Sequence, residues 1–449
     1  MKKQDSQFRT DAIGRLLLRF SMPSILAMLV GVLYAAADRF FVAQAEGPAA
    51  LAGLTVAFPI FMIVIAVQLL CGAGGNALLS INLGQKDDAG VRRVISNTLF
   101  LQIALGVLLT AATLIFMEPL LALSGGSAAT IPIAREYLSV LLLAFPLDIV
   151  AMGLNQFVRS FGFPKTAMIN SIAPALLNIV LDYIFIMEMD MGVFGAALGS
   201  AISMLAGFVM VMWFWARRSP YKLRLARPDF GAMAMIAKFG MTAFFVHFAI
   251  GFNMMFSNNI LAKYGGDIAL GSWAIAGIVD QVFTLPVFGL ANAMQSIGGY
   301  NFGAGLWDRV RECVRKSIFA STIWLTISGA AIFIFAGSMT GLFGSDAAML
   351  STADWFLKVF AAGYPFLGVV FLAGIFFNMV GRYGTALILS LIKFAALPIP
   401  ALILFARLWG LDGFAWAWPA TNVVSFAIFF AAIAMSWRRI GTTITPAKF

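Results

Sequence analysis

The chain has 449 residues, 61% of them hydrophobic and 11% charged, with a formal net charge of +10. Soluble domains average about 45–50% apolar and about 25% charged residues, so a soluble fold, which could not hide this much apolar surface, is excluded. The chain reads as a polytopic membrane protein. With one histidine, two cysteines and no metal-ligand spacing or nucleophile–base constellation, an intramembrane enzyme is disfavoured.

The N-terminal stretch "MKKQDSQFRTDAIGRLLLRF" is a basic amphipathic lead-in. It lacks the short apolar region and A-x-A-like site of a signal peptide, so the first helix is expected to be retained. Apolar runs of roughly 20 residues or more then fall at 16–43, 49–80, 92–116, 133–158, 166–188, 193–216, 234–263, 269–300, 314–337, 353–378, 384–407 and 412–436. All twelve are expected to be transmembrane helices, because an isolated strand in lipid leaves its backbone polar groups unsatisfied. Several approach 30 residues, which predicts tilt, kinks or protrusion beyond the bilayer.

Roughly 24 of the 30 lysines and arginines fall on one side: the N-terminus, the 84–93, 159–165, 217–238, 309–316 and 382 regions, and the C-terminal "SWRRIGTTITPAKF". The opposite loops carry mainly acids: Glu46, Glu118, Glu188, Asp190, Asp267, Asp346 and Asp354. Positive loops stay inside, which predicts a multi-pass protein of the plasma (inner) membrane with both termini cytoplasmic. The positive charge is thus a topology signal, and its scatter over short loops argues against nucleic-acid binding.

The polar stretch at 216–238 divides the helices six and six, giving a first half at 1–216, a linker at 217–233 and a second half at 234–449. The halves align at an offset of about 219 residues: Asn82 meets Asn301, Gly84 meets Gly303, Pro146 meets Pro365, Gly162 meets Gly381, and Thr166 meets Thr385. An even number of helices per half makes them parallel repeats, an arrangement that places substrate sites in a central cleft at the repeat interface. The halves differ in their charges. Asp38 aligns with Ser257 and Asp182 with Ala401, so a coupling-ion site is expected in the first half only.

A carboxylate at the bilayer centre costs about 2.5–3.5 kcal/mol on insertion scales and marks function by default. Counting ~1.5 Å per residue, Asp38 lies roughly 27 Å and Asp182 roughly 24 Å from the cytoplasmic side, with Ser200 roughly 10 Å below the other surface. Asn178 precedes Asp182 by one helical turn, on the same face. Asp38, Asn178, Asp182 and Ser200 are therefore expected to form one cluster. Such a cluster suits either of two coupling ions. Close carboxylates in low dielectric cannot both stay ionised and so carry a proton, while carboxylate, amide and hydroxyl oxygens are hard ligands for Na⁺. Arg39 is adjacent to Asp38, but neighbouring helical positions do not face each other, so Arg39 is expected to reach the outer surface or pair elsewhere.

Asp148, Asn155, Asn253, Met254, Met255, Phe256, Asp280 and Gln281 are candidates for lining a substrate cleft, with methionine suited to promiscuous surfaces. Pro23 is placed either to bend helix 1 when Asp38 changes protonation or to hold a static kink. His247 reads as a packed histidine with one hydrogen bond, a proton-handling role being the alternative. Lys358, Lys393 and Arg407 read as lying nearer helix ends.

The stretches "MPSILAMLVGVLYAAADRFFVAQ", "GAGGNALLSINLGQKD", "RSFGFPKTAM" and "NIVLDYIF", in this order and spacing, resemble the multidrug and toxic compound extrusion (MATE) family, in particular its DinF-like branch. The resemblance implies a V-shaped bundle that exports amphipathic, often cationic, drug-like small molecules in exchange for H⁺ or Na⁺ by alternating access. It requires no other cofactor, and a monomer suffices. It places the coupling-ion site on Asp38, Asp182 and Asn178, with Ser200 where threonine is common, and the helix 1 proline on Pro23. The acidic residue that another branch carries in helix 7 has no match in "TAFFVHFAIGFN". A lipid-linked oligosaccharide flippase of the same superfamily is the alternative; it would favour a cationic cleft, whereas the midplane charges here are mostly acidic.

Overall fold

The computed structural model describes residues 7–225, 227–343 and 347–444. The described residues are almost entirely helical. The long rods are α1 (Ile13–Gly47), α2 (Ala52–Gln85), α3 (Asp88–Ile115), α4 (Thr130–Ser160), α5 (Pro164–Glu188), α6 (Gly192–Arg217), α7 (Phe230–Gly266), α8 (Ile268–Gly303) and α9 (Trp307–Thr340). Next comes α10, formed by Ala347–Ala361 and Tyr364–Met379 with a 64° bend between them. The last apolar stretch, Tyr383–Trp437, is interrupted by a non-helical Gly410 and so forms α11 (383–409) and α12 (411–437). Divided this way, the rods correspond one for one with the twelve apolar runs of the sequence. A short helix, Met117–Leu123, lies between α3 and α4.

The internal repeat is visible in the backbone. Gly47 (φ 75°, ψ −164°) closes α1 and Gly266 (φ 60°, ψ −153°) closes α7, at the same 219-residue offset. Both sit in a left-handed region that an L side chain enters only with strain, which lets a transmembrane helix reverse within a few residues. The same offset relates the positive-φ residues Lys86 and Gly305, and Gly162 and Gly381.

The chain forms two compact units. One gathers Leu26–His247; the other gathers Phe8–Ile25 with the chain from Phe248 onward. The changeovers therefore fall inside α1, just past Pro23, and inside α7. In the first unit, Leu138, Leu141, Phe145 and Ile149 of α4 pack with Ile60 and Val64 of α2 and Val193, Ala196 and Ala197 of α6. In the second, Phe356, Phe360 and Tyr364 of α10 pack with Leu325 and Ile332 of α9 and Phe414 of α12. The Trp273 ring of α8 meets those of Phe356, Phe360 and Phe414 edge-on.

Two rods contain π turns. Tyr183–Glu188 follows Asp182 directly in α5, and Ile392–Ala396 lies within α11. Such turns recur at functional sites because they widen the helix and re-aim side chains.

Candidate functional site

Asp38, Asn178, Asp182 and Ser200 are all buried, Asp182 completely. Asn178 and Asp182 occupy successive turns of α5, so their side chains leave the same face. The Asn178 amide donates to Asp182 Oδ1 (3.2 Å) and to Ser200 Oγ of α6 (3.2 Å). Gly199 makes the room: a Cβ there would stand 2.6 Å from Asp182 Oδ1. Asp38 of α1 interacts electrostatically with Asp182. The structure thus brings the four residues into one cluster. Arg39 points elsewhere, its guanidinium 5.4 Å from the centre of the Phe58 ring.

Two tyrosines complete the cluster and were not foreseen. Tyr34 of α1 and Tyr137 of α4 lie beside the Ser200 hydroxyl, and both interact electrostatically with Asp38 and Asp182. Tyr34 lies one turn before Asp38, a spacing from which it could have been found. Asp148 belongs to the same neighbourhood. It interacts with Tyr34 and accepts a hydrogen bond from Gln68 of α2, another residue sequence reasoning missed.

The chemical signature is an excess of acceptors. Asp38 Oδ1, Asp182 Oδ2 and Asn178 Oδ1 are all buried without a hydrogen-bond donor. Buried polar atoms are normally paired, and leaving one unpaired costs about 1–3 kcal/mol. Three orphaned oxygens, two of them on carboxylates, form a place that a proton or a hard cation would satisfy. Among the described residues, no group of three or more His, Cys, Asp or Glu is arranged to hold a metal ion. A Na⁺ here would have to use amide and hydroxyl oxygens as well as the carboxylates.

The remaining candidates separate. Asn155 ties α4 to α5: its amide donates to Ala167 O (3.0 Å) and Ser171 Oγ (3.1 Å), and its oxygen accepts from Asn170 (3.1 Å). Asn253 donates to the Phe394 carbonyl in the α11 π turn, leaving its own Oδ1 buried and unpartnered. Met254 and Gln281 are exposed, and the Phe256 ring packs 5.0 Å from that of Phe252. The Met255 side chain lies outside the described residues. Pro23 sits within α1, in the segment that belongs to the second unit. His247 makes one hydrogen bond, from Nδ1 to its own helix at Ala243 O (3.1 Å).

Asp280 lies in a second cluster. It accepts from the Tyr364 hydroxyl (2.8 Å) and interacts electrostatically with Lys393. The Lys393 ammonium donates to Asn422 Oδ1 of α12, and Asn422 lies against Gly363, beside Tyr364. Lys393 is not near a helix end, as its sequence context suggested. It is buried within α11, in the π turn, where an amide acceptor and a nearby carboxylate let an ammonium stay in the apolar interior. Lys358 pairs with Asp354 at 2.8 Å, and Arg407 is exposed. At the 219-residue offset, Asp280 and Tyr364 correspond to Phe61 and Phe145, whose rings touch edge-on at 5.2 Å. The same contact is apolar in one half and polar in the other.

A family model described as MatE matches residues 23–184 and 242–404, two segments that begin 219 residues apart. The chain belongs to the MatE family of transporters. Among its relatives is the multidrug export protein MepA of Staphylococcus aureus (strain NCTC 8325 / PS 47), 30% identical over 413 residues and 91% of each chain. MepA of Staphylococcus saprophyticus is 28% identical over the same proportions. Among solved structures, this MatE-family chain superposes with a TM-score of 0.91 on the outward-facing conformation of a multidrug resistance MATE family transporter of the MOP superfamily. The identity is 23%, over 97% of this chain and 98% of that one. A MATE in the bent conformation gives 0.91 at 24% identity, over 98% and 99%. The fold is therefore that of a MATE transporter, all-α with twelve membrane helices in two halves.

Proposed function

We propose that this protein is a secondary active multidrug exporter. It would expel amphipathic, cationic small molecules by alternating access, in antiport with H⁺ or Na⁺ bound at Asp38, Asp182, Asn178 and Ser200. The observation that carries the ion site is the set of three donorless oxygens on Asp38, Asn178 and Asp182. The export reading is supported by the likeness to the multidrug export protein MepA. In this reading the halves 1–216 and 234–449 alternate about the linker 217–233. The chain works as a monomer in the plasma membrane with both termini cytoplasmic, as its basic loops suggest.

An ion bound at this cluster shifts the protein between two shapes only by its difference in affinity for them. α1 suits the conversion. It carries Asp38 in one unit and Pro23, which lacks a backbone N–H, in the segment belonging to the other. The test is efflux from proteoliposomes with ΔpH and Na⁺ gradients imposed separately. Drug movement driven by one gradient identifies the ion; movement driven by neither overturns the antiport reading.

A further inference from the structure

At one end of the membrane-spanning rods, the first unit holds a cavity of about 480 Å³ between the first turns of α3 and the segment joining α6 to α7. Its walls carry Arg92, Arg93, Lys222, Arg224 and Arg227, with Asp229 as the only acid among the described residues. That acid is already engaged. Its Oδ2 pairs with Arg93 (2.5 Å), and its Oδ1 accepts the Ala232 N–H (3.0 Å) at the start of α7. The backbone N–H of Ala232 and the Arg93 guanidinium hold the Asp229 carboxyl below the usual carboxylate range, so it stays charged and committed to them. Arg92, Lys222, Arg224 and Arg227 are exposed, and no described acid pairs with any of the four.

The wall is built rather than loosely draped. Ser96 Oγ donates to the Arg224 carbonyl (2.8 Å), Asn97 Oδ1 accepts the Asp229 N–H (2.8 Å), and the Tyr221 hydroxyl donates to Asp88 (2.5 Å). These bonds pin the connecting segment onto α3 and hold the basic side chains around one space. The positive-inside rule asks for a count of basic residues in a loop. It does not ask for four uncompensated cations around a single cavity, where like charges repel.

We propose that this cavity binds the phosphate of an anionic phospholipid headgroup. Four cations without acidic partners supply the charge and the donors that a phosphate diester accepts. Flanking apolar groups favour a lipid over a free phosphate. Leu225 (65% exposed) and Phe230 (78% exposed) alternate with the arginines on this segment. Trp213 is exposed near the end of α6, with the Arg218 guanidinium 5.0 Å from its ring centre. Exposed tryptophan beside basic residues is typical of the headgroup level of a bilayer, and basic pockets at that level take anionic lipid headgroups.

The test compares the wild type with Arg92→Gln/Lys222→Gln/Arg224→Gln/Arg227→Gln. All four side chains are exposed and none pairs with a described acid, so the substitutions strand no described carboxylate. Binding of short-chain phosphatidylglycerol, phosphatidylcholine and inorganic phosphate to the purified protein is measured by native mass spectrometry and thermal shift. The expected result is preferential retention of phosphatidylglycerol by the wild type, at least tenfold weaker retention by the variant with an unchanged unliganded melting temperature, and no comparable binding of inorganic phosphate. Equal phosphatidylglycerol binding by the two proteins would overturn the site. Inorganic phosphate binding as tightly as the lipid would overturn the lipid as its occupant. Neither outcome depends on drug export, so this proposal and the transport reading fail separately.

Discussion

Asn178 and Asp182, one turn apart on α5, are joined by a 3.2 Å hydrogen bond from the Asn178 amide nitrogen to Asp182 Oδ1, with Asn178 Oδ1 and Asp182 Oδ2 left without a donor. The geometry is held from the side by Gly199, whose missing Cβ is what lets the carboxylate lie against α6. Gly199→Ala should push Asp182 off Asn178. A hydrogen bond to a charged group is worth about 1.5–3 kcal/mol, so drug efflux should fall by roughly tenfold or more at that exchange rate. Gly207→Ala on the same helix, where a Cβ would meet only the Pro174 ring at 3.3 Å, is the packing control. Equal efflux from the two alanine variants would mean that Asp182 does not depend on the space at Gly199.

Much of this architecture is legible in the sequence because membrane segments are governed by one strong rule: an apolar stretch in lipid must be a helix. The meeting of Asp38, Asn178, Asp182 and Ser200 was also legible, since a carboxylate in an apolar run stands out and depth can be counted. Tyr34, Tyr137 and Gln68 were not legible. A tyrosine or glutamine in a membrane helix costs too little to draw notice, although Tyr34 sits one turn from Asp38. Lys393 was misplaced for a different reason. Its acceptor lies on α12, and Asp280 and Tyr364 lie on α8 and α10, so no local spacing connects them.

Lys393 and Asp280 should be coupled in stability. Lys393→Met removes the cation that acts electrostatically on the half-buried Asp280 carboxylate and leaves it with the Tyr364 hydroxyl, at a cost below the about 3–5 kcal/mol of breaking a direct buried ion pair. The single variant should show a lowered melting temperature in detergent. Lys393→Met/Asp280→Asn should recover most of the loss, because the double change removes both charges. A double variant as unstable as Lys393→Met would show that the lysine is held for its packing and not for its charge.

The orientation can be read chemically. Cys71 and Cys313 are both buried, so an added thiol is seen against a quiet background. Pro228→Cys, at an exposed position between α6 and α7, should react with a membrane-impermeant maleimide in inside-out vesicles and not in intact cells. Labelling of intact cells would reverse the topology drawn from the basic loops.

Asp38 and Asp182 should act as one titrating unit. They lie on different helices yet interact electrostatically, and each has an oxygen lacking a donor. In a low dielectric the repulsion between two carboxylates is strong, so their protons should leave in two macroscopic steps that belong to the pair. At neutral pH the pair is then expected to share about one proton, and replacing either carboxylate destroys the site. Asp38→Asn and Asp182→Asn should each abolish efflux while the proteins still express and fold, and the double variant should be no worse than either. Strict additivity on a logarithmic scale is the behaviour of independent sites and would refute a shared proton, as would full transport by a well-folded Asp38→Asn protein. A Na⁺ held between the same oxygens would give the same non-additivity. The cycle is therefore run first without Na⁺ and then with it: coupling that appears only with Na⁺ assigns the cluster to Na⁺, and coupling present in its absence assigns it to the proton.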